Sequence, residues 1–150
     1  MNSDKKAGKC PTELAMELIS RKWVIQILRD MFFGKKRFNE FKDGKPNLSN
    51  KVLSNCLKEM EENGLITRNS DKNNQSIEYT LTDKGKKLNK VIYELAMFTL
   101  TTDLGNEFYD DETKNELENI FKKTLINGWT FSKPITKNYR KTVIQNTNPN

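Results

Sequence analysis

Apolar residues recur with helical spacing along most of this chain and alternate with polar ones in a single stretch. After Ser49, the residues Leu53, Leu57 and Met60 fall at i, i+4 and i+7, and Val52 and Cys56 widen the stripe. That spacing predicts a helix with one buried face. Ser49 is its N-cap, because a hydroxyl there accepts from a first-turn N–H that the helix leaves unpaired. Gly64 supplies the left-handed exit that ends it. Upstream, Trp23 to Phe33 is apolar on more than one side, with Trp23, Ile27, Leu28 and Met31 at helical spacing, which predicts a central core helix ended by Gly34. Phe38 and Phe41, at i and i+3, predict a short helix, and Asp43-Gly44-Lys45-Pro46-Asn47 predicts a turn. Beyond Gly64 the period changes. Leu65 to Arg68 and Ser76 to Leu81 alternate around the polar run Asn69–Gln75, the pattern of a β-hairpin. Thr82 then predicts the cap of a helix through Leu88, Ile92, Leu95 and Ala96 to about Leu100. A last helix is expected from Asp110, with Leu117, Ile120, Phe121 and Leu125 on one face.

A short helix, a turn and a capped amphipathic helix follow one another in the order of a helix-turn-helix. The hairpin directly after them makes the expected fold a winged helix-turn-helix, mainly α with one small β-hairpin. The polar face of the helix after Ser49 then acquires a chemistry. It carries Asn50, Lys51, Ser54, Asn55 and Lys58. Asn pairs bidentately with adenine, Lys reaches guanine or phosphate, and Ser adapts to either. Such faces are usually only solvated, and it is the neighbouring elements that favour base readout by Asn50, Lys51, Ser54 and Asn55, with Ser49 also counted among the DNA-binding residues. Arg37, Arg68 and Lys72 are placed to hold phosphates, and Asn73 in the hairpin turn is also counted as a DNA-binding residue.

Six motifs stand in this same order: Cys10-Pro11; Leu18-Ile19-Ser20-Arg21-Lys22-Trp23; Gly34-Lys35-Lys36-Arg37-Phe38-Asn39-Glu40-Phe41; Leu48-Ser49-Asn50-Lys51-Val52-Leu53; Leu57 to Ile66; and Glu78-Tyr79-Thr80-Leu81-Thr82-Asp83-Lys84-Gly85. Together they resemble the HxlR-type winged helix family, bacterial transcription regulators related to the MarR group, in register from about Cys10 to Thr102. The resemblance implies a homodimer on palindromic double-stranded operator DNA, with the helix from Ser49 in the major groove and the hairpin beside it. It also implies that Cys10 is a candidate sensor, since some members of the family detect oxidants, quinones or aldehydes at this position. The chain departs from the family pattern at Arg21, where Gly is usual, and at Asn73-Asn74-Gln75, where the family tends to have Pro.

Composition changes this picture only at the edges. The chain of 150 residues carries a formal charge of +6, no histidine and two cysteines. Residues 1–100 hold 19 basic and 13 acidic side chains, residues 101–125 hold 3 and 7, and residues 126–150 hold 4 basic side chains with no acid. A basic first part suits a polyanionic partner, although this surplus alone is weak support. Without histidine the commonest general base and metal ligand is missing. No phosphate-binding Gly loop, nucleophile motif or metal-ligand cluster stands out, so no enzyme, metal or cofactor is expected. No apolar run approaches the ~20 residues of a membrane span, so no membrane association is expected and a cytoplasmic location is.

Four segments are expected: a flexible N-terminal arm over 1–9, the winged domain over 10–105, a dimerisation helix over 106–126, and a basic, partly ordered tail over 127–150. The helix after Asp110 is assigned to the dimer because a small winged core offers its stripe no obvious place. Cys10, beside Lys9 and before Pro11, starts a helix, where a thiol ionises more readily. It is open to two readings, a reactive sensor or a half-buried interface residue. Cys56 falls on a buried stripe and is read as core. Three functions stay in view: a dimeric operator-binding repressor responding to electrophiles, a regulator responding to a reversibly bound small ligand, and a winged helix that binds protein rather than DNA.

Overall fold

The computed structural model describes residues 8–128. Most of the arm expected over 1–9 and of the tail expected over 127–150 lie outside them. Eight helices and one hairpin are described. They run α1 (Pro11–Ile19), α2 (Val24–Phe32), α3 (Phe38–Lys42), α4 (Asn50–Glu62), β1 (Ile66–Ser70), β2 (Ile77–Leu81), α5 (Asp83–Lys86), α6 (Asn89–Leu100), α7 (Asp103–Asn106) and α8 (Asp111–Lys122), with a π-helical turn over Lys123–Asn127. The mainly helical fold with one antiparallel hairpin is a winged helix-turn-helix. Its core closes where Ile27 and Leu28 of α2, Phe41 of α3, Leu53 and Leu57 of α4, and Ile66 of β1 meet, all fully buried. The N–H of Val52 donates to Ser49 Oγ at 3.2 Å, which starts α4. Gly64, at φ 72°, turns the chain out of α4 into the hairpin.

Two local expectations need correction. Val52 is 43% exposed and does not belong to the buried stripe. At about 100° per residue it lies roughly 105° round the helix from the centre of the Leu53, Leu57 and Met60 face. Further on, the helix expected from Thr82 to Leu100 is two helices. Gly85 sits so close to the hairpin that a Cβ there would lie 2.1 Å from the Leu65 carbonyl oxygen. Thr82 Oγ1 donates to the Gly64 carbonyl and accepts from the Gly85 N–H at 3.0 Å, pinning α5 across the exit of α4. The chain must then turn through Lys87 and Leu88 before α6 begins.

A third finding concerns α8, whose apolar stripe has a place inside its own chain and needs no second copy to cover it. Leu117, Phe121 and Leu125 are buried, the Phe33 and Phe121 rings meet edge-on at 5.3 Å, and Asn89 Nδ2 donates to the Leu125 carbonyl at 2.8 Å. The close turn in α7 brings the chain back: a Cβ on Gly105 would stand 2.4 Å from the Thr99 carbonyl oxygen. The apolar surface left open lies elsewhere, on Leu14 and Met16 of α1, Leu95 and Phe98 of α6, and Leu104 and Phe108. Among the described residues, no helix is long and apolar enough to cross a membrane.

Candidate functional site

Helix α4 and the hairpin stand side by side, and an open groove of about 750 Å³ runs between them. Ser54 and Lys58 line one wall and Arg68 and Tyr79 the other, with Glu61 and Glu62 towards the far end. Lys51, Ser54 and Asn55 are exposed and take part in no side-chain bond among the described residues. Ser49 is exposed, and its Oγ accepts the capping bond while its O–H remains able to donate. Asn50 is also engaged, because its Oδ1 accepts from Lys42 Nζ. Val52, read as core, joins the exposed face instead. An apolar side chain beside Asn55 suits contact with a thymine methyl.

The hairpin is docked by one backbone bond, from the Tyr79 N–H to the Lys36 carbonyl at 2.8 Å. Its tip is built by Asp71, whose carboxylate accepts from the Asn73 N–H at 2.9 Å and from Asn74 Nδ2 at 3.1 Å. That local turn does the work for which the family pattern offers a proline. Lys72 and Asn73 are exposed at the tip, and Arg68 is exposed on β1. Arg37 is less free, since its Nη2 lies 3.4 Å from Glu78 Oε1.

What holds α4 in place was largely missed in the sequence. Asp30, at 2% exposure, accepts from Lys45 Nζ, and Lys45 also donates to the Phe41 carbonyl at 2.9 Å. Arg29 Nη2 and Lys35 Nζ approach the same carboxylate at 2.9 and 3.5 Å. Burial is the main influence on Lys35 and pushes its ammonium below the ordinary lysine value, against the opposing pull of Asp30. The cluster locks the turn before α4 onto the core helix. The one available signal was the adjacent pair Arg29-Asp30 embedded in the otherwise apolar run Ile27–Phe33. At the other end of α4, Lys84 Nζ donates to the Asn63 carbonyl at 2.8 Å, which accounts for a lysine near the start of α5. Arg21 Nη1 pairs with Glu59 at 2.9 Å, tying the α1–α2 turn to α4 at the position where glycine was expected.

The two cysteines differ as their positions predict. Cys10 is exposed at the N-cap of α1. Its thiol is held below the ordinary cysteine value, first by the Thr12 backbone N–H, then by the Glu13 N–H and the Thr12 hydroxyl. Lys9, expected to assist, pairs with Glu17 instead. Cys56 is buried with its sulfur 3.8 Å from Met60 Sδ, and burial, then the Glu59 charge, pushes its thiol up to about 11.

Residues 18–106 match the family described as HxlR-like helix-turn-helix. The chain belongs to that family. As an HxlR-like protein it is a transcriptional regulator of the helix-turn-helix type and not an enzyme, as its curated relatives are regulators. The HTH-type transcriptional regulator YvaP of Bacillus subtilis (strain 168) is 40% identical over 89 residues, which is 58% of this chain and 82% of YvaP. The redox regulator HypR in its oxidized form superposes with TM-score 0.58 at 30% identity, covering 62% of this chain and 97% of HypR. Quinone-bound YodB from B. subtilis superposes at 0.53 with 34% identity, covering 63% of this chain and all of YodB. Cys10 and α8 both lie outside the residues that match the HxlR-like family.

Proposed function

We propose that this HxlR-like chain is a homodimeric repressor that reads a palindromic operator through α4 and loses affinity when Cys10 is modified. The observation that carries the reading is the polar face of Lys51, Ser54 and Asn55, exposed and without side-chain partners among the described residues, beside a hairpin that presents Arg68 and Lys72. A surface that only bound protein would have little use for that set. Base contacts from α4 give sequence preference, and the cations of the hairpin add sequence-independent affinity. The exposed apolar side chains of α1 and α6 supply a two-fold contact. A dimer so formed reads half-sites about 34–36 Å apart. Repression follows from occupying a promoter.

Cys10 supports the second half of the proposal. Its thiol is exposed and lowered, and the thiolate is the reactive form. With a quinone, the thiolate sulfur bonds to a ring carbon. The displaced electron pair moves to one ring oxygen, which takes up a proton from water. The attacked carbon then loses its hydrogen as a proton, the second oxygen takes one up, and a hydroquinone thioether is left. An adduct at the start of α1 crowds the dimer contact, and the Arg21–Glu59 pair passes a shift of the α1–α2 turn to α4. A covalent group shifts the equilibrium through its different fit to the two dimer forms.

The test is operator binding by fluorescence anisotropy, using a duplex selected from a random pool, for wild type and Cys10→Ser before and after a quinone. Wild type should release DNA after treatment and Cys10→Ser should hold it. If both release it equally, or neither does, the sensing role fails.

A further inference from the structure

We propose a second, non-covalent site: a cleft between α2, α6 and α8 that takes an uncharged one- or two-ring aromatic bearing a hydroxyl group. This goes beyond the reading above and does not depend on Cys10. The cleft has a volume of about 260 Å³. Its walls are Ile25 of α2, Ile92 and Ala96 of α6, and Leu117 and Phe121 of α8. Ile92, Leu117 and Phe121 are buried, so the floor is preformed.

Size and chemistry narrow the occupant. A closed apolar cavity of about 150 Å³ holds benzene, so this half-open cleft has room for a bicyclic ring. Phe121 offers an aromatic wall, against which a flat ring packs edge-on or offset. Polar atoms come from Gln26, Thr99 and Tyr109, which are neutral amide and hydroxyl groups suited to a hydroxyl. Arg29 also lines the cleft, but its Nε and Nη2 are held by Asp30 Oδ1 at 3.2 and 2.9 Å. An anionic ligand would have to compete with that carboxylate, which disfavours acids. Two further features mark the site. Tyr109, Leu117 and Phe121 lie beyond residues 18–106 that match the family. Arg29 joins the cleft to Asp30, whose other oxygen holds Lys45 in the turn before α4.

The experiment is a titration of the full chain, labelled at isoleucine methyl groups, with 2-naphthol and separately with naphthalene-2-sulfonate, followed by NMR. Saturable shifts should centre on Ile25 and Ile92, with the sulfonate at least tenfold weaker. Ala96→Leu, which fills the cleft, should weaken 2-naphthol at least tenfold, and Thr99→Ile serves the same purpose if Ala96→Leu does not fold. Cys10→Ser should bind as wild type does. The proposal is overturned if 2-naphthol gives no saturable shift, as it would if a second copy already filled the cleft. Equal binding of the sulfonate, shifts that neither filling variant reduces, or loss of binding in Cys10→Ser would overturn it as well.

Discussion

Lys45 reaches out of the turn before α4 to the buried carboxylate of Asp30 on α2, and both side chains are almost wholly enclosed. Their pairing sets where α4 begins. Two surface elements could vary their angle freely, but a turn anchored by a buried ion pair has one seat.

Breaking this pair should cost stability in an order set by what is left behind. Lys45→Met leaves Asp30 still facing Arg29 and Lys35, at 2.9 and 3.5 Å. Asp30→Ala leaves three cations around an empty place. Removing one partner of a buried pair costs about 3–5 kcal/mol, so Asp30→Ala should lie near the top of that range and Lys45→Met at or below its bottom. Urea denaturation measures both, and equal losses would contradict the shared-carboxylate account.

The cysteines should separate cleanly by pH. Alkylation of Cys10 by iodoacetamide should be half-maximal below the ~8.5 of a free cysteine, while Cys56 stays unlabelled until the chain unfolds. The Cys56 thiol is raised in the folded state, so the unfolded chain ionises first as pH rises. Its stabilising share is therefore present below ~8.5 and is lost as pH climbs towards the folded value of about 11. Cys56→Ala should flatten that alkaline loss in a thermal-melt series. Cys56 labelling as fast as Cys10 in the folded protein would contradict it.

Base and phosphate contacts should respond differently to substitution. Asn55→Ala should relax preference at one operator position by ~1–3 kcal/mol, and Val52→Ala should do so at a position bearing a thymine methyl. Lys72→Ala should weaken all sequences about equally and lower the salt slope by ~1. Binding to scanned operator variants at several salt concentrations distinguishes the two patterns.

Gly85→Ala should destabilise the chain by about 1–3 kcal/mol, as overpacking does. The new Cβ would meet a backbone oxygen, Leu65 O, at 2.1 Å. A carbonyl cannot swing aside as a side chain can, so α5 must move. The melting temperature measures the effect, and an unchanged one would mean that α5 is held loosely.

The helices and hairpin were legible because their signals are local. Ser49, Gly64 and the stripe Leu53, Leu57 and Met60 specify α4 without help from the rest of the chain. Val52 was misplaced because i−1 from a core leucine looks like a wider stripe until the helix is seated. The break at Lys87–Leu88 depends on Gly85 lying against Leu65, twenty residues away in sequence, which no periodicity reveals. The burial of α8 depends in the same way on a turn at Gly105 and a ring contact with Phe33. Of the candidate site, the exposed face of α4 was legible, whereas the Lys42–Asn50, Arg37–Glu78 and Asp30–Lys45 pairs form only once the elements are packed.

The proposed function rests on sequence-specific DNA recognition by α4. Its most direct measurement is the ratio of affinities for a selected palindrome and a scrambled duplex, for wild type and for the triple variant Lys51→Ala, Ser54→Ala, Asn55→Ala. Wild type should prefer the palindrome by ~10³-fold or more, and the variant should lose most of that ratio while keeping its non-specific, salt-dependent binding. Equal affinity of wild type for both duplexes, or an unchanged ratio in the variant, would contradict the account.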